Sequence, residues 1–490
     1  MKKRNRRLYK KAHFYTFLND CSHFAPLLIF PLLQNLLFNP TSLLAIITNY
    51  GLSILCVILL FIAIWLEYRS ILYVEKDSSV YTKKGFFFKK RADIPYDCIQ
   101  SVYIQKNLFT RLFFGARQYF INTPGSYTAN GDYAIYLRKR NSLELTKAIF
   151  EKQEKSIKYH GGFLRIILMS ATWSNALTGL LMFAPVLYKT SGTARDYLKE
   201  YFLTKMDISN YIIKIGVPPA LTGLATLLLA SWVLAYIIQL SQYSFFTTEI
   251  SHNVIHISRG FPNRTEFFTS TDKLNAIQIK QSVLMLILNL KSVYIRTIGA
   301  GVQKGDKSIL IPADRDEGID KILSHITSLP KKENYKIRPT KTEFMAYLWF
   351  PFYSILGTVA TMLLLNHFGY FGEIARVPLF VLLSIFIYWL FFRIYAYTKS
   401  SITICDKAVR IDYFYRLNIT RTYIPYDKIQ YVNVYQSPFQ RMYKTAHIKI
   451  YIYSNKRQYY KIKYLKYNKV MEAVDLIETK LKYDYVSKHG

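Results

Sequence analysis

An 18-residue segment of this chain occurs a second time in closely similar form. "IPYDCIQSVYIQKNLFTR" at residues 94–111 returns as "IPYDKIQYVNVYQSPFQR" at 424–441, with nine identical positions at a constant offset. A more divergent copy, "TDKLNAIQIKQSVLML" at 271–286, aligns with the later one and has leucine in place of the final arginine. Internal copies of this kind indicate an architecture built from one unit. The sequence therefore predicts three copies of one folded unit.

The residues around each copy alternate between apolar and polar side chains, as in "RQYFINT", "SVYIRT" and "HIKIYIYSN". Because these runs are rich in Val, Ile, Tyr and Phe, they are typical of short, half-buried strands. Each unit ends in an amphipathic helix, predicted at 141–155, 313–326 and 468–481. Each unit is therefore predicted to be a small antiparallel β-domain capped by one C-terminal helix.

Six long apolar stretches lie between these units. They occur near residues 24–38, 43–66, 163–188, 211–240, 344–365 and 377–395. A helix that crosses a bilayer needs about 20 apolar residues. The sequence therefore predicts a multipass α-helical membrane protein with α+β cytoplasmic domains, in which six transmembrane helices form three hairpins and each hairpin precedes one β-domain.

The predicted boundaries follow this alternation of helices and β-domains. They are a basic N-terminal segment at 1–23, the first hairpin at 24–66, the first β-domain at 67–162, the second helix pair at 163–240, the second and degenerate β-domain at 241–343, the third helix pair at 344–395 and the third β-domain at 396–490.

Charge predicts the orientation of the chain, whose formal net charge is +34. The opening "MKKRNRRLYKK" places seven Lys or Arg before the first apolar stretch. The positive-inside rule then puts the N-terminus and all three β-domains in the cytoplasm, with the helices in the cell membrane. The four cysteines are scattered without CxxC spacing, which favours a reducing compartment over a disulfide framework or a Cys-based zinc site.

The run "IPYDCIQSVYIQKNLFTRLFFGARQYFINT" resembles the signature of bacterial pleckstrin-homology (PH) domains. Three such domains alternating with helix pairs resemble the YdbT-type membrane proteins of that family. The resemblance implies a PH-like fold for each unit and a location in the cytoplasmic membrane. It also implies a protein partner, a smaller membrane protein with one PH domain, and it implies no established activity. Self-association is the alternative to such a partner.

The residues shared by the copies form the first candidate site. They are Pro95, Asp97, Gln100 and Arg111 in the first copy, Asp272 in the middle copy, and Pro425, Asp427, Gln430 and Arg441 in the last. The arginines could bind an anionic group of a partner, since a guanidinium offers a bidentate fork. Alternatively, the aspartate holds the turn after Pro-Tyr and the arginine bonds to the backbone or to that aspartate. Survival through duplication favours this structural interpretation.

A second candidate site is the basic and aromatic tract "SNKRQYYKIKYLKYNK" at 454–469. Its candidate lipid-facing residues are Lys456, Arg457, Lys461, Lys463 and Lys466. Each Lys or Arg near the inner leaflet contributes about 1 kcal/mol of attraction to anionic lipid. Such tracts also hold single-stranded nucleic acid, but a domain tethered beside a membrane favours lipid over nucleic acid. A basic face that is merely solvated remains the alternative.

Sequence motifs point to no catalytic, metal or cofactor site. The glycine-rich "IGAGVQKGDK" at 298–307, for example, lacks the GK[ST] ending of a phosphate-binding loop. The sequence therefore predicts a non-enzymatic membrane protein whose PH-like domains serve protein assembly or anionic-lipid contact, in an envelope-stress or export-related complex. The alternative is a transporter or exporter component that moves a peptide or lipid through the helix bundle.

Overall fold

The chain divides into two compact units in the computed structural model. The first comprises residues 1–158, 247–273 and 298–307, and the second comprises residues 159–246, 274–297 and 308–490. The structure describes residues 9–489 apart from 25–42, 87, 125–132, 151–155, 174–218, 252, 298–308, 327–329, 331–332, 340, 342–343, 370–372, 416–417 and 454–457.

The first unit combines ten strands with helices among its described residues. Its strands are β1 (Lys10–Lys11), β2 (Leu72–Glu75), β3 (Ser79–Lys84), β4 (Lys90–Pro95), β5 (Ser101–Lys106), β6 (Ala116–Asn122), β7 (Tyr133–Arg138), β9 (Thr247–Ser251), β10 (Val254–Arg259) and β11 (Arg264–Ser270). Its helices include α1 (Leu43–Ser70) and α2 (Lys139–Ile149), and residues 15–24 are also helical. Strand β8 (Ile157–His160) contains the boundary between the two units in the sequence, because the first unit includes residue 158 and the second begins at residue 159.

The second unit combines strands with longer helices. Its strands are β12 (Leu274–Ser282), β13 (Lys291–Thr297), β14 (Ile309–Asp314), β15 (Glu333–Ile337), β16 (Ser401–Cys405), β17 (Ala408–Tyr415), β18 (Asn418–Pro425), β19 (Ile429–Tyr435), β20 (Thr445–Ile452) and β21 (Gln458–Lys466). Its helices are α3 (Phe163–Trp173), α4 (Pro219–Tyr243), α5 (Val283–Ile287), α6 (Asp316–Leu323), α7 (Phe344–His367), α8 (Glu373–Lys399), α9 (Pro438–Met442) and α10 (Tyr467–His489).

The first and third repeats each form a β-sandwich around its own apolar core. In the first repeat, β1–β4 and β5–β7 enclose side chains that include Val80, Ile104 and Tyr119. In the third, β15–β18 and β19–β21 enclose Ile411, Ile450 and the residues of α10 that face them. The alternating pattern of each strand places its apolar side chains on this inner face. Four strands, three strands and a closing helix are therefore the repeated layout.

The sheets do not stop at the repeat boundaries. In the first unit, strands lie in the order β7-β6-β5-β11-β10-β9, so the fifth strand of repeat one pairs with the fourth strand of repeat two. In the second unit the order is β14-β13-β12-β18-β17-β16-β15, so repeats two and three are joined in the same way. The strands of the middle repeat are accordingly divided, with β9–β11 in one unit and β12–β14 in the other.

A short strand precedes the helices in the outer repeats and pairs with the strand that follows them. Lys11 in β1 lies opposite Leu72 in β2, on the far side of α1. Ile337 in β15 lies opposite Ile402 in β16, on the far side of α7 and α8. The helices are thus inserted between two adjacent strands, and the chain enters and leaves α7–α8 at the same sheet.

The prediction of six transmembrane helices in three hairpins is wrong. Among the described residues, two helical segments are long and apolar enough to cross a membrane, Tyr347–His367 in α7 and Pro378–Lys399 in α8. The predicted spans 24–38 and 163–188 lie largely outside the described residues. The described part of the latter is α3, whose 11 residues include the fully buried Met169.

The physical reason is that hydropathy does not distinguish burial by protein from burial by lipid. In α4, Ala235 and Tyr243 are buried within the second unit, and Ile64 is buried in α1. In α8, by contrast, none of the most apolar 18-residue window is buried. An apolar stretch that packs against protein has the same composition as one that contacts lipid, so composition alone overestimated the number of spans.

Candidate basic pocket in the second unit

The structure places the proline and aspartate residues of the shared motif at the turn between the fourth and fifth strands. Pro95 and Pro425 end β4 and β18, and each precedes a short 3₁₀ turn that carries Asp97 or Asp427. Asp272 occupies the same turn in the middle repeat. The Asp97 carbonyl accepts a hydrogen bond of 3.0 Å from Lys273 Nζ. These residues shape a turn at the surface.

The two glutamines differ in burial although their motif positions are equivalent. Gln100 is buried, and its carbonyl accepts a hydrogen bond of 2.9 Å from the Thr269 hydroxyl on β11. Gln430 is exposed. The strand that covers the first position therefore accounts for the difference.

Arg111 and Arg441 lie on an exposed apolar turn that follows the fifth strand. In the first repeat this turn exposes Leu112 and Phe113, and in the third repeat it exposes Met442 and Tyr443. The corresponding residues of the middle repeat, Leu286, Ile287 and Leu288, are also exposed. Within the described part of the chain, neither arginine has a side-chain hydrogen bond or ion pair. The structure does not bring them together with Asp97 or Asp427.

The basic tract contributes to a cavity of about 960 Å³ in the second unit, here called the basic pocket. Five cationic side chains line it: Lys280, Arg296, Arg393, Lys461 and Lys463. Its walls also include the aromatic residues Tyr347, Trp389, Phe392, Tyr413, Phe414, Tyr415, Tyr459 and Tyr460. Of the predicted lipid-facing residues, Lys461 and Lys463 line the pocket, Lys466 is exposed outside it, and Lys456 and Arg457 lie outside the described residues.

The pocket is lined by strands β12, β13, β17, β18 and β21 and by helices α7 and α8. Strand β21 supplies Lys461 and Lys463, the last turns of α8 supply Trp389 and Arg393, and the paired strands β12 and β18 supply the floor. The Tyr347 hydroxyl on α7 donates a hydrogen bond of 3.1 Å to the Lys463 carbonyl, which ties the apolar helices to β21. The cations therefore lie beside the ends of the two helices that are apolar enough to span a membrane.

A buried polar network holds the floor of the pocket. The side-chain nitrogen Nε2 of Gln278 donates to the Tyr460 hydroxyl at 3.0 Å. The side-chain oxygen Oε1 of Gln278 accepts from Arg296 Nε at 3.2 Å. Gln278 and Tyr460 are buried, so these bonds satisfy groups that water does not reach. Arg296 is thereby fixed in place with its guanidinium toward the pocket.

The cations of the pocket are not balanced by carboxylates among its described lining residues. No aspartate or glutamate occurs among the described residues that line it. Burial, Lys463 and Lys449 lower the pKa of Lys461, and burial and Arg393 lower the pKa of Lys463. The Nε atom of Arg393 is buried, and it has no hydrogen-bond partner among the described residues. Clustered cations of this kind favour an anion, because its charge would relieve their mutual repulsion.

The charges of the pocket lysines lower the pKa of His447 on the neighbouring strand β20. Burial and the charges of Lys461, Lys463 and Lys449 oppose its protonation and hold its pKa at about 4. The Tyr464 N–H donates to His447 Nδ1 at 3.1 Å, a bond that requires this nitrogen to be unprotonated. His447 is therefore neutral at physiological pH.

We expect His447 to make the stability of the third repeat depend on pH. The unfolded chain binds the proton near pH 6.5 and the folded chain near pH 4, so stability is fully present above about 6.5 and falls as pH decreases toward 4. After allowance for solvent screening, the loss should be about 1–2 kcal/mol. Thermal unfolding of the purified chain across this range would measure it, and His447→Gln should remove this part of the pH dependence. An unchanged slope in the variant would contradict the assignment.

The described part of the chain contains no group of three or more His, Cys, Asp or Glu residues that could hold a metal ion.

Comparison with known proteins supplies the family of the chain. No curated protein matches the chain. A family model described as "Bacterial PH domain" matches three times, at residues 32–153, 208–327 and 355–481. These matches cover most of the chain and coincide with the three repeats, and PH domains are interaction modules that bind lipids or proteins. The three-fold repeat, the two outer β-sandwiches and these matches together show that the chain belongs to the bacterial PH domain family.

Proposed function

We propose that this protein is a non-enzymatic membrane protein that binds anionic lipid headgroups at the inner leaflet through its basic pocket. The observation that carries the proposal is the pocket itself, in which cations cluster beside the ends of α7 and α8 with no carboxylate among its described lining residues. Basic pockets at the cytoplasmic ends of membrane helices are suited to phosphate-bearing headgroups. The aromatic walls would pack against the glycerol and upper acyl region of the same lipid.

The helices α7 and α8 support a membrane location for this site. Both helices are apolar, and many of their side chains, such as Trp349, Leu363, Ile385 and Phe391, are exposed. The proposed arrangement is a hairpin through the membrane, because β15 and β16 hold its two ends at one sheet. The N-terminus and the three PH domains are proposed to be cytoplasmic, as the positive-inside rule predicts.

The exposed apolar turns support lipid contact in a second way. Leu112, Phe113, Met442 and Tyr443 project from short helical turns that also carry Arg111 or Arg441. Apolar side chains next to cations are suited to the boundary between headgroups and acyl chains. The transporter alternative relied on a bundle of six membrane helices, and it is not retained.

The lipid proposal can be tested by neutralising pocket lysines in the full chain. Lys461→Gln with Lys463→Gln should weaken phosphatidylglycerol binding about 30-fold, at about 1 kcal/mol per charge near the leaflet. Titration of lipid into the detergent-solubilised protein, followed by the fluorescence of Trp389 on the pocket wall, would measure the change. A tryptophan-to-phenylalanine background that keeps only Trp389 isolates this signal.

The matched control is Lys466→Gln with Lys469→Gln, which removes the same charge from exposed positions outside the pocket. This control should change binding by less than about threefold, since exposed charges are screened. Equal weakening by both pairs would show that general surface charge, and not the pocket, attracts the lipid. Phosphatidylcholine should bind weakly to every version.

Lipid binding should also raise the pKa of His447, because an anion in the pocket would offset Lys461 and Lys463, two of the groups that now lower it. An NMR titration of the His447 ring with and without phosphatidylglycerol would detect the shift.

A further inference from the structure

The outer edge of the fifth strand is covered in the first two repeats by the fourth strand of the next repeat. In the first unit, Val102 on β5 lies opposite Phe268 on β11. In the second unit, Ile277 on β12 lies opposite Tyr423 on β18. These pairs occupy equivalent positions of the repeated motif, so the two junctions have the same register. The chain therefore uses one antiparallel pairing geometry twice.

The third repeat has the same fifth strand, and no described strand covers its outer edge. Strand β19 ends its sheet, and within the described residues no strand pairs with its outer edge. Side-chain exposure reflects the difference at one equivalent position: Ser101 is 0% exposed, Ala276 is 1% exposed and Tyr431 is 44% exposed.

Strand β19 also lacks the features that usually protect an open edge. Its sequence "IQYVNVY" contains no charged residue and no proline along seven residues. Edge strands of monomeric proteins commonly carry lysine or proline, which discourage pairing with other chains. An uncharged edge with exposed Tyr431 and Tyr435 is instead suited to receive another strand.

The complementary edge is present in the first repeat of the same chain. Strand β4 is equivalent to β11 and β18, and it ends its sheet without a described strand on its outer side. Ala92 on β4 is exposed, whereas the equivalent Phe267 and Thr422 are buried in their junctions. One chain thus carries both halves of a third junction, and no described strand covers either half.

We propose that β4 of one copy pairs antiparallel with β19 of a second copy, so that the protein assembles head to tail through the junction that it already uses twice internally. Transfer of the internal register gives the expected pairs Asp93 with Val432, Ala92 with Asn433, Arg91 with Val434 and Lys90 with Tyr435. Such a contact joins two different surfaces, so it produces a ring if the rotation closes and an open chain if it does not. It does not depend on the basic pocket.

Cysteine cross-linking between two differently tagged copies tests this pairing. In a version of the full chain without native cysteines, one copy would carry Ala92→Cys and the other Asn433→Cys, and both would be produced in the same membranes. Directly opposed residues in a ladder have Cα atoms about 4.5–5.5 Å apart, a separation that a disulfide bridges. We expect a cross-linked product that contains both tags.

The matched control pairs Ala92→Cys with Tyr459→Cys, because Tyr459 is exposed on the opposite edge strand of the β19 sheet. A mixed-tag product no more abundant than in this control, from copies that keep their resistance to protease, would overturn the proposal. Cross-linking of Asn433→Cys to a different protein instead of the Ala92→Cys copy would also overturn it, since the partner would then not be a second copy.

Charge exchange tests the register independently of cysteine chemistry. Tyr435→Lys would face Lys90 of the second copy and should weaken association by up to about fivefold, whereas Tyr435→Glu should strengthen it. Lys90→Glu combined with Tyr435→Lys should restore association. Association would be measured as energy transfer between fluorescently labelled copies in lipid nanodiscs or detergent. If the combined variant associates no better than Tyr435→Lys alone, the expected register is wrong.

Discussion

A shortened protein that begins at residue 396 is expected not to fold, because it lacks β15. This strand precedes the helices α7 and α8, yet it pairs with β16 on their far side. Ile337 on β15 is 1% exposed within the core of the third repeat. Removing one such side chain alone costs about 2–5 kcal/mol, and the loss of the whole strand also frees one edge of β16. Total domain stabilities are only about 5–15 kcal/mol.

The matched comparison is a version that keeps β15 and replaces only the helices. Since Ile337 lies opposite Ile402, residues 333–338 can be joined to 401–490 by a short Asn-Gly turn. Both versions lack β12 equally, so their difference reports β15 alone. We expect a cooperative unfolding transition by circular dichroism for the version with β15 and none for 396–490. Equal unfolding free energies would contradict this expectation.

Loss of the Arg410 side chain is expected to destabilise the third repeat by about 3 kcal/mol. The Arg410 guanidinium contacts Glu333 on β15 at 2.7 Å and Asp412 on its own strand at 3.2 Å. It also donates to the Thr403 hydroxyl on β16 at 3.2 Å. In Arg410→Ala, the mostly buried Asp412 would lose its buried partner, which is costly in a low-dielectric site. Chemical denaturation of the β15-containing version would measure the loss.

Arg421 provides a control that shares the same carboxylate. Its Nε lies 3.1 Å from Asp412, but its side chain is 48% exposed, against 8% for Arg410. Exposed ion pairs contribute about 0–1 kcal/mol, so Arg421→Ala should have a small effect. Equal losses in the two variants would contradict the role assigned to burial.

The ion pair between Arg410 and Glu333 predicts a second pH dependence of stability, at lower pH than that of His447. A hydrogen bond from Arg410 lowers the pKa of Glu333 below its usual value of 4.5. The stabilisation is therefore present above about pH 4.5 and is lost as pH falls through the lower, folded-state pKa. Arg410→Ala should remove this dependence while leaving the one that belongs to His447.

The local elements were largely readable from the amino-acid pattern. The alternation in "HIKIYIYSN" corresponds to β20, and the helix predicted at 468–481 lies within α10. The identification of the chain with bacterial PH domains, made on the segment 94–123, is confirmed by the three family matches. These features are local because strand and helix periodicities repeat within a few residues.

The basic pocket was only partly predictable. Lys461 and Lys463 belong to the basic tract, but Arg296 and Arg393 come from β13 and α8 and share no sequence signal with it. The one available signal for Arg393 was its position near the end of an apolar stretch. The absence of acidic partners among the described lining residues depends on which strands face the cavity, which no spacing rule supplies.

The sequence by itself determined that one β-rich unit recurs three times, because duplicated residues and side-chain periodicity are properties of the chain alone. The tertiary structure determined which strands pair and which apolar stretches are buried against other parts of the protein. Strand β15 belongs with β16 across 63 intervening residues, from 338 to 400, and each junction between repeats pairs strands from different copies. Backbone hydrogen bonds carry no residue signature, so any exposed edge can accept any strand until packing selects one. That is also why the open edge of β19 in "IPYDKIQYVNVYQSPFQR" could be recognised only beside its two covered counterparts.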